Sequence, residues 1–247
     1  MSLTSNETLN LAKKQYKYKT KAYMNAFVSM IFVQCIAIIF SFNGIESMGT
    51  GSDTIFVTVN IINGNAILFF TLIWAFVISL TLTKKAYRDI DFVFPSTRLT
   101  SHLSNIGLLI TISVIGAISC LLGSAFVRLI SFVIHSTSFT IESFLIGPLE
   151  FAMGILVSSL YLLLVCTVGY VFGLLVQWHK AMGFVIPAFL IGYHIQEVRS
   201  VGQVRFTVIQ FFTSETSLLL FVIKVIVSVS ILLFVIVKLT NRLEVKR

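Results

Sequence analysis

Charge is what this sequence lacks most. Charged side chains make up 11% of the 247 residues, against 57% hydrophobic, whereas a soluble domain carries about 25% charged residues. So few charges cannot build a water-facing surface, and the mean hydropathy of +0.97 assigns much of that surface to lipid. Cysteine is also scarce. Cys35, Cys120 and Cys166 are the three; each falls inside an apolar run, and no pair has the spacing of metal ligands, so they read as small packing residues. Catalytic motifs are missing. There is no H-E-x-x-H, and no G-x-x-x-x-G-K-[ST] with which the chain could itself cradle ATP. His102, His135, His179 and His194 are scattered over span ends and loops, and no paired carboxylates lie within an apolar run. These absences point away from an enzyme. The polar start, with no A-x-A-like site after the first apolar run, marks that run as an uncleaved span rather than a signal peptide.

What is abundant is long apolar runs. About 20 apolar residues cross the ~30 Å hydrocarbon core as a helix. Runs of that kind cover residues 24–42, 61–83, 105–127, 148–177 and 218–237, and a shorter one covers 181–195. The expectation is an all-α integral membrane protein, one transmembrane domain over 1–247 with six helices. The net charge of +8 would suggest nucleic acid in a soluble protein. Here the basic residues flank the spans, as a membrane protein uses them to fix orientation, so no nucleic-acid partner is expected. Fourteen of the 18 Lys and Arg fall on one side: Lys13 to Lys21, then Lys84, Lys85, Arg88 and Arg98, then Lys180, then Lys238, Arg242, Lys246 and Arg247. Arg128, Arg199 and Arg205 fall on the other. This bias predicts both termini inside and an even number of crossings.

Thr4 and Glu7 have the spacing of a capping box. Leu9, Ala12, Tyr16 and Tyr23 then recur near helical spacing with lysines between them. Residues 4–23 are therefore expected to form an amphipathic helix on the cytoplasmic face. Residues 42–60 hold Gly44, Gly49, Gly51, Glu46 and Asp53 without Lys or Arg, which reads as a flexible outside loop. Helices in lipid approach where small residues permit it. Gly116, Cys120 and Ser124 offer such a face in the third run; Gly154 with Ser158, and Gly169 with Gly173, do so in the fourth. Pro148 and Glu150 suit the first turn of the fourth helix, and Trp178 suits the interface at its far end. The fifth run is interrupted by Gly183, Pro187 and Gly192. It reads as a broken span, and residues 201–212 after it as either a re-entrant segment or an ordinary loop.

Two places carry chemistry. Lys224 lies inside the sixth run, where a lysine costs ~2.5–3.5 kcal/mol to insert. It either snorkels outward or faces the bundle and meets a carboxylate such as Glu197 or an acidic cargo group; with Glu150 and Glu197 it is a candidate for the substrate pathway. The second place is the cytoplasmic stretch 84–104. There Lys85, Tyr87, Arg88, Asp89, Asp91, Phe92, Phe94 and Arg98 mix charges of both signs with aromatics. Lipid headgroups would favour basic residues alone, whereas mixed charge with aromatic anchors suits a protein contact.

This layout resembles the membrane subunits of small bacterial type-2 ABC exporters. The matched features are the amphipathic interfacial helix before the first span, six spans, a cytoplasmic helix-bearing loop after the second, and a broken fifth span. Asp91-Phe92-Val93-Phe94-Pro95-Ser96-Thr97-Arg98 looks like the family's "Phe…Pro-x-(Ser/Thr)-Arg" phrase. The resemblance covers essentially the whole chain and is architectural. It implies a multi-pass protein of the bacterial plasma membrane and pairing of two membrane subunits, here a homodimer. It also implies a separate nucleotide-binding ATPase subunit that carries ATP and Mg and docks beside Tyr87 to Phe92. This chain itself would carry no cofactor and no metal. The near-absence of charge in the spans and the 23 phenylalanines suit a hydrophobic or amphipathic cargo. A lipophilic drug or an amphipathic peptide, such as the phenol-soluble modulins exported by some members of the family, would fit. The competing readings are an ATP-independent carrier or channel, an intramembrane enzyme, and a membrane scaffold or sensor.

Overall fold

The computed structural model describes residues 5–43, 45–52, 55–62, 64–84, 98–134, 147–199, 211–212, 215 and 217–245. Seven helices are described: α1 (Ser5–Ala22), α2 (Met24–Asn43), α3 (Asn65–Thr83), α4 (Arg98–Ile134), α5 (Pro148–Trp178), α6 (Met182–Arg199) and α7 (Leu218–Val245). Two strands, β1 (Ile45–Ser52) and β2 (Ile55–Ile62), form an antiparallel ribbon between α2 and α3. Five helices are long and apolar enough to cross a membrane, with spans at Met24–Phe42, Asn65–Thr83, Leu103–Ser131, Pro148–Trp178 and Leu218–Leu239. The protein is therefore a helical, multi-pass membrane protein. Its exposed Phe32, Phe40, Phe69, Phe126 and Phe234 are what a lipid-facing surface requires, because a bilayer offers these rings an apolar solvent.

Three features differ from the sequence-based expectation. The segment read as a flexible loop is a paired ribbon, in register from Ile45 opposite Ile62 to Ser52 opposite Ile55. Its second strand, Ile-Phe-Val-Thr-Val-Asn-Ile-Ile, is rich in the β-branched and aromatic residues that suit a pleated surface. The ribbon takes the first residues of the run 61–83, so α3 starts at Asn65. The segment read as a broken fifth span is one continuous helix, α6, with Pro187 inside it. Pro187 follows directly after the first turn. There it forfeits a single backbone bond, the one its missing N–H would make to the Gly183 carbonyl. Its glycines, proline and polar end (His194, Gln196, Glu197, Arg199) leave α6 outside the five helices that qualify as spans.

By internal contacts the chain divides into two compact units, residues 1–75 with 96–162, and residues 76–95 with 163–247. In the first unit, Ala37, Ile67, Cys120 and Val127 form a buried cluster, with Ile38, Phe42, Leu68 and Phe70 packed against it. Phe40 of α2 stacks on Phe70 of α3 at 5.5 Å between centroids. In the second unit, the end of α3 packs against α5, where Phe76 and Phe172 meet at 5.9 Å.

Candidate functional site

In the first unit, α1 packs along the beginning of α4. Gly107 makes this possible, since a Cβ there would stand 3.2 Å from the ring of Tyr16. The Thr111 hydroxyl donates to the Gly107 carbonyl at 2.9 Å. The Tyr16 hydroxyl, 2.7 Å from Thr111 Oγ1, is thus the donor of that pair. Beside it the buried Lys19 donates to Ser104 Oγ at 2.9 Å and to Asn105 Oδ1. A lysine that periodicity alone would leave in the headgroups is instead a strut between two helices. Such charge-assisted bonds are stronger than neutral ones.

A chain of hydrogen bonds links three spans of the same unit. Ser119 of α4 donates to Gln34 Oε1 at 2.5 Å. Gln34 of α2 donates through Nε2 to Thr71 Oγ1 at 3.2 Å, and Thr71 of α3 donates to the Ile67 carbonyl at 2.6 Å. Nearby, Trp74 Nε1 donates to Ser29 Oγ at 2.9 Å. With its donors and acceptors passed along in one direction, this chain fixes helix register rather than offering free groups to a ligand.

In the second unit, Gly169, Gly173 and Gln177 of α5, at four-residue spacing, face Ser79 and Thr83 of α3. A Cβ on Gly169 would collide with Ser79 Oγ and lie 2.9 Å from the Phe76 carbonyl oxygen. One on Gly173 would collide with Thr83 Oγ1 and lie 2.8 Å from its Cγ2. Gln177 Nε2 donates to the Thr83 carbonyl, one of the orphan acceptors at the end of α3. The small residues of the fourth run thus serve a close helix crossing.

Lys224 projects from the second turn of α7 into an ion pair with Glu215. Its ammonium also lies 4.2 Å from the centroid of the Phe211 ring and 3.4 Å from the Phe211 carbonyl oxygen. Carboxylate, ring face and carbonyl oxygen are all complementary to a cation. Their effect is to fasten Phe211 and Glu215 to the beginning of the last span. Glu215 was not anticipated as the partner, although it is the carboxylate nearest to Lys224 in the sequence. The Glu197 side chain lies outside the described residues, and Glu150 is exposed in the first turn of α5.

Lys85, Tyr87, Arg88, Asp89, Asp91, Phe92 and Phe94 lie outside the described residues, as do residues 201–210. Arg98 opens α4, and its side chain lies outside them too. Comparison with family models, with curated proteins and with solved structures returns no match.

Proposed function

We propose that this chain is the membrane subunit of an ATP-driven exporter of the type-2 ABC kind in a bacterial plasma membrane. The observation that carries the reading is the order of the elements: a basic helix packed against the beginning of α4, two spans, a stretch whose sequence is charged and aromatic, two long spans, a short proline-containing helix and a last span, where α1 precedes the first of them. In this reading α6 makes the sixth crossing, between the spans of α5 and α7, and both termini are cytoplasmic. Residues 84–98 dock a separate ATPase subunit. Two copies of the chain pair, and closure of two ATPases drives alternating access for a hydrophobic or amphipathic peptide or drug.

Carboxylate placement supports ATP rather than an ion gradient as the energy source. Across the five spans and α6 the carboxylates are Glu150, in the first turn of its helix, and Glu197, in the last turn of α6. Ion-coupled carriers use carboxylates held within the membrane. The test is the double variant Arg88→Ala/Asp91→Ala in proteoliposomes that also hold the ATPase. Hydrolysis should persist while export of cargo falls at least about tenfold, by analogy with loss of a central interface contact. Normal coupling in that variant removes the docking assignment, and transport without ATP favours the carrier.

A further inference from the structure

The contact between α1 and α4 decides which face of α1 is left over. At ~100° per residue, the buried Ala12, Gln15 and Lys19 share one side of the helix, the side turned to α4. Lys13, Lys14, Lys17 and Lys21, all exposed, fall within a sector of about 100° on the opposite side. No acidic residue lies between Glu7 and Glu46, so no carboxylate on α1 after its first turn neutralises this face.

We infer that the lysine face of α1 is a binding surface for anionic phospholipid headgroups. Three observations favour a lipid surface over an acidic protein. First, α1 stands at the membrane boundary: it ends at Ala22, the span α2 begins at Met24 after the turn residue Tyr23, and Tyr16 packs on Gly107 near the start of the Leu103–Ser131 span. Second, the four charges are all lysine. A compact ammonium on a flexible stem acts as a point charge, which suits a diffuse layer of headgroup phosphates that asks for charge rather than fixed geometry. Third, the exposed aromatic on the helix is Tyr18, a residue type enriched at membrane–water interfaces, and lysine is depleted from protein interfaces. Clustered lysines beside a span are what the negative surface potential of a leaflet attracts. The consequence is a protein whose α1 is held from two sides, by α4 through Tyr16 and Lys19 and by anionic headgroups through the outer lysines.

The test uses the full-length protein in phosphatidylcholine vesicles doped with spin-labelled phosphatidylglycerol or spin-labelled phosphatidylcholine. The relative association of the two probes is read from the motionally restricted fraction of the spectrum. Wild type should prefer phosphatidylglycerol, and the preference should shrink with salt as the Debye length falls from ~10 Å at 0.1 M to ~3 Å at 1 M. Replacing Lys13, Lys14, Lys17 and Lys21 by glutamine should cut the preference by about twofold or more, while replacing all four by arginine should keep it. The arginine variant controls for misfolding, together with monodispersity in detergent. Equal preference in wild type and the glutamine variant overturns the inference, as does equal loss in the glutamine and arginine variants. A glutamine variant that keeps its lipid preference but sheds a co-purifying protein assigns the face to that protein and also overturns it.

Discussion

Gly169→Ala tests the close crossing of α3 and α5 at one atom. The added methyl meets Ser79 Oγ, which can rotate away only by giving up its 2.7 Å bond to the Phe76 carbonyl. It also meets the Phe76 carbonyl oxygen at 2.9 Å, and backbone cannot step aside without moving the helix. Overpacking of this kind costs about 1–3 kcal/mol, against up to ~1 kcal/mol gained when alanine replaces glycine in a helix. The net expectation is a loss of about 0–2 kcal/mol, and about 1–3 kcal/mol relative to a glycine-to-alanine change that meets no neighbour. Gly192→Ala in α6 is the internal control, because a Cβ there has no neighbour within 4 Å, so that only the propensity gain applies. Reversible unfolding in mixed micelles, titrated with SDS and followed by tryptophan fluorescence, reads both. A second crossing point sharpens the test. Gly173→Ala clashes with Oγ1 and Cγ2 of Thr83, and Thr83→Ala removes those atoms while leaving a Cβ at 3.1 Å. The double variant should therefore be more stable than the sum of the singles by about 1 kcal/mol. If Gly169→Ala is as stable as Gly192→Ala, the crossing is not the tight contact described above.

Lys224→Met should destabilise the protein by about 1–2 kcal/mol, between the values for exposed and buried ion pairs, because it strands the Glu215 carboxylate. Adding Glu215→Leu should recover most of that loss in the same unfolding assay, and no recovery would mean that the two side chains do not act as a pair. Gln34→Leu leaves Ser119 without its acceptor and Thr71 without the amide donor, and should cost about 0.6–1.7 kcal/mol, the range for interhelical hydrogen bonds in membranes. An unchanged midpoint would show that this chain of bonds does not hold the three spans together.

The spans were legible because lipid imposes a length: about 20 residues of apolar sequence can do little else in a chain this poor in charge. Helix ends were less legible. Residues 98–104 look polar and loop-like, yet Thr100 and Ser104 are fully buried in the first turns of α4, and their hydroxyls can return to the helix backbone, as Ser104 does to Ser101. Gly49 and Gly51 read as flexibility and mask the ribbon at 45–62, although Ile55, Val57, Val59 and Ile61 alternate in β2. Pro187 read as a break because its position in the helix, just after the first turn, is invisible without the helix start. In the candidate site, Lys224 stood out by its insertion cost, but Glu215 and the Phe211 ring became its partners through a local fold that periodicity does not encode. Lys19 is indistinguishable in the sequence from the orienting lysines beside it. What set it apart was the polar notch of Ser104 and Asn105 on a distant helix.

The most direct test of the exporter reading is a pull-down of the tagged protein from gently solubilised native membranes, with identification of the chains that co-purify. A stoichiometric P-loop ATPase should co-purify, retained by wild type and weakened by Arg88→Ala/Asp91→Ala. Recovery of the membrane chain without an ATPase, in a detergent shown to preserve such complexes, would contradict it.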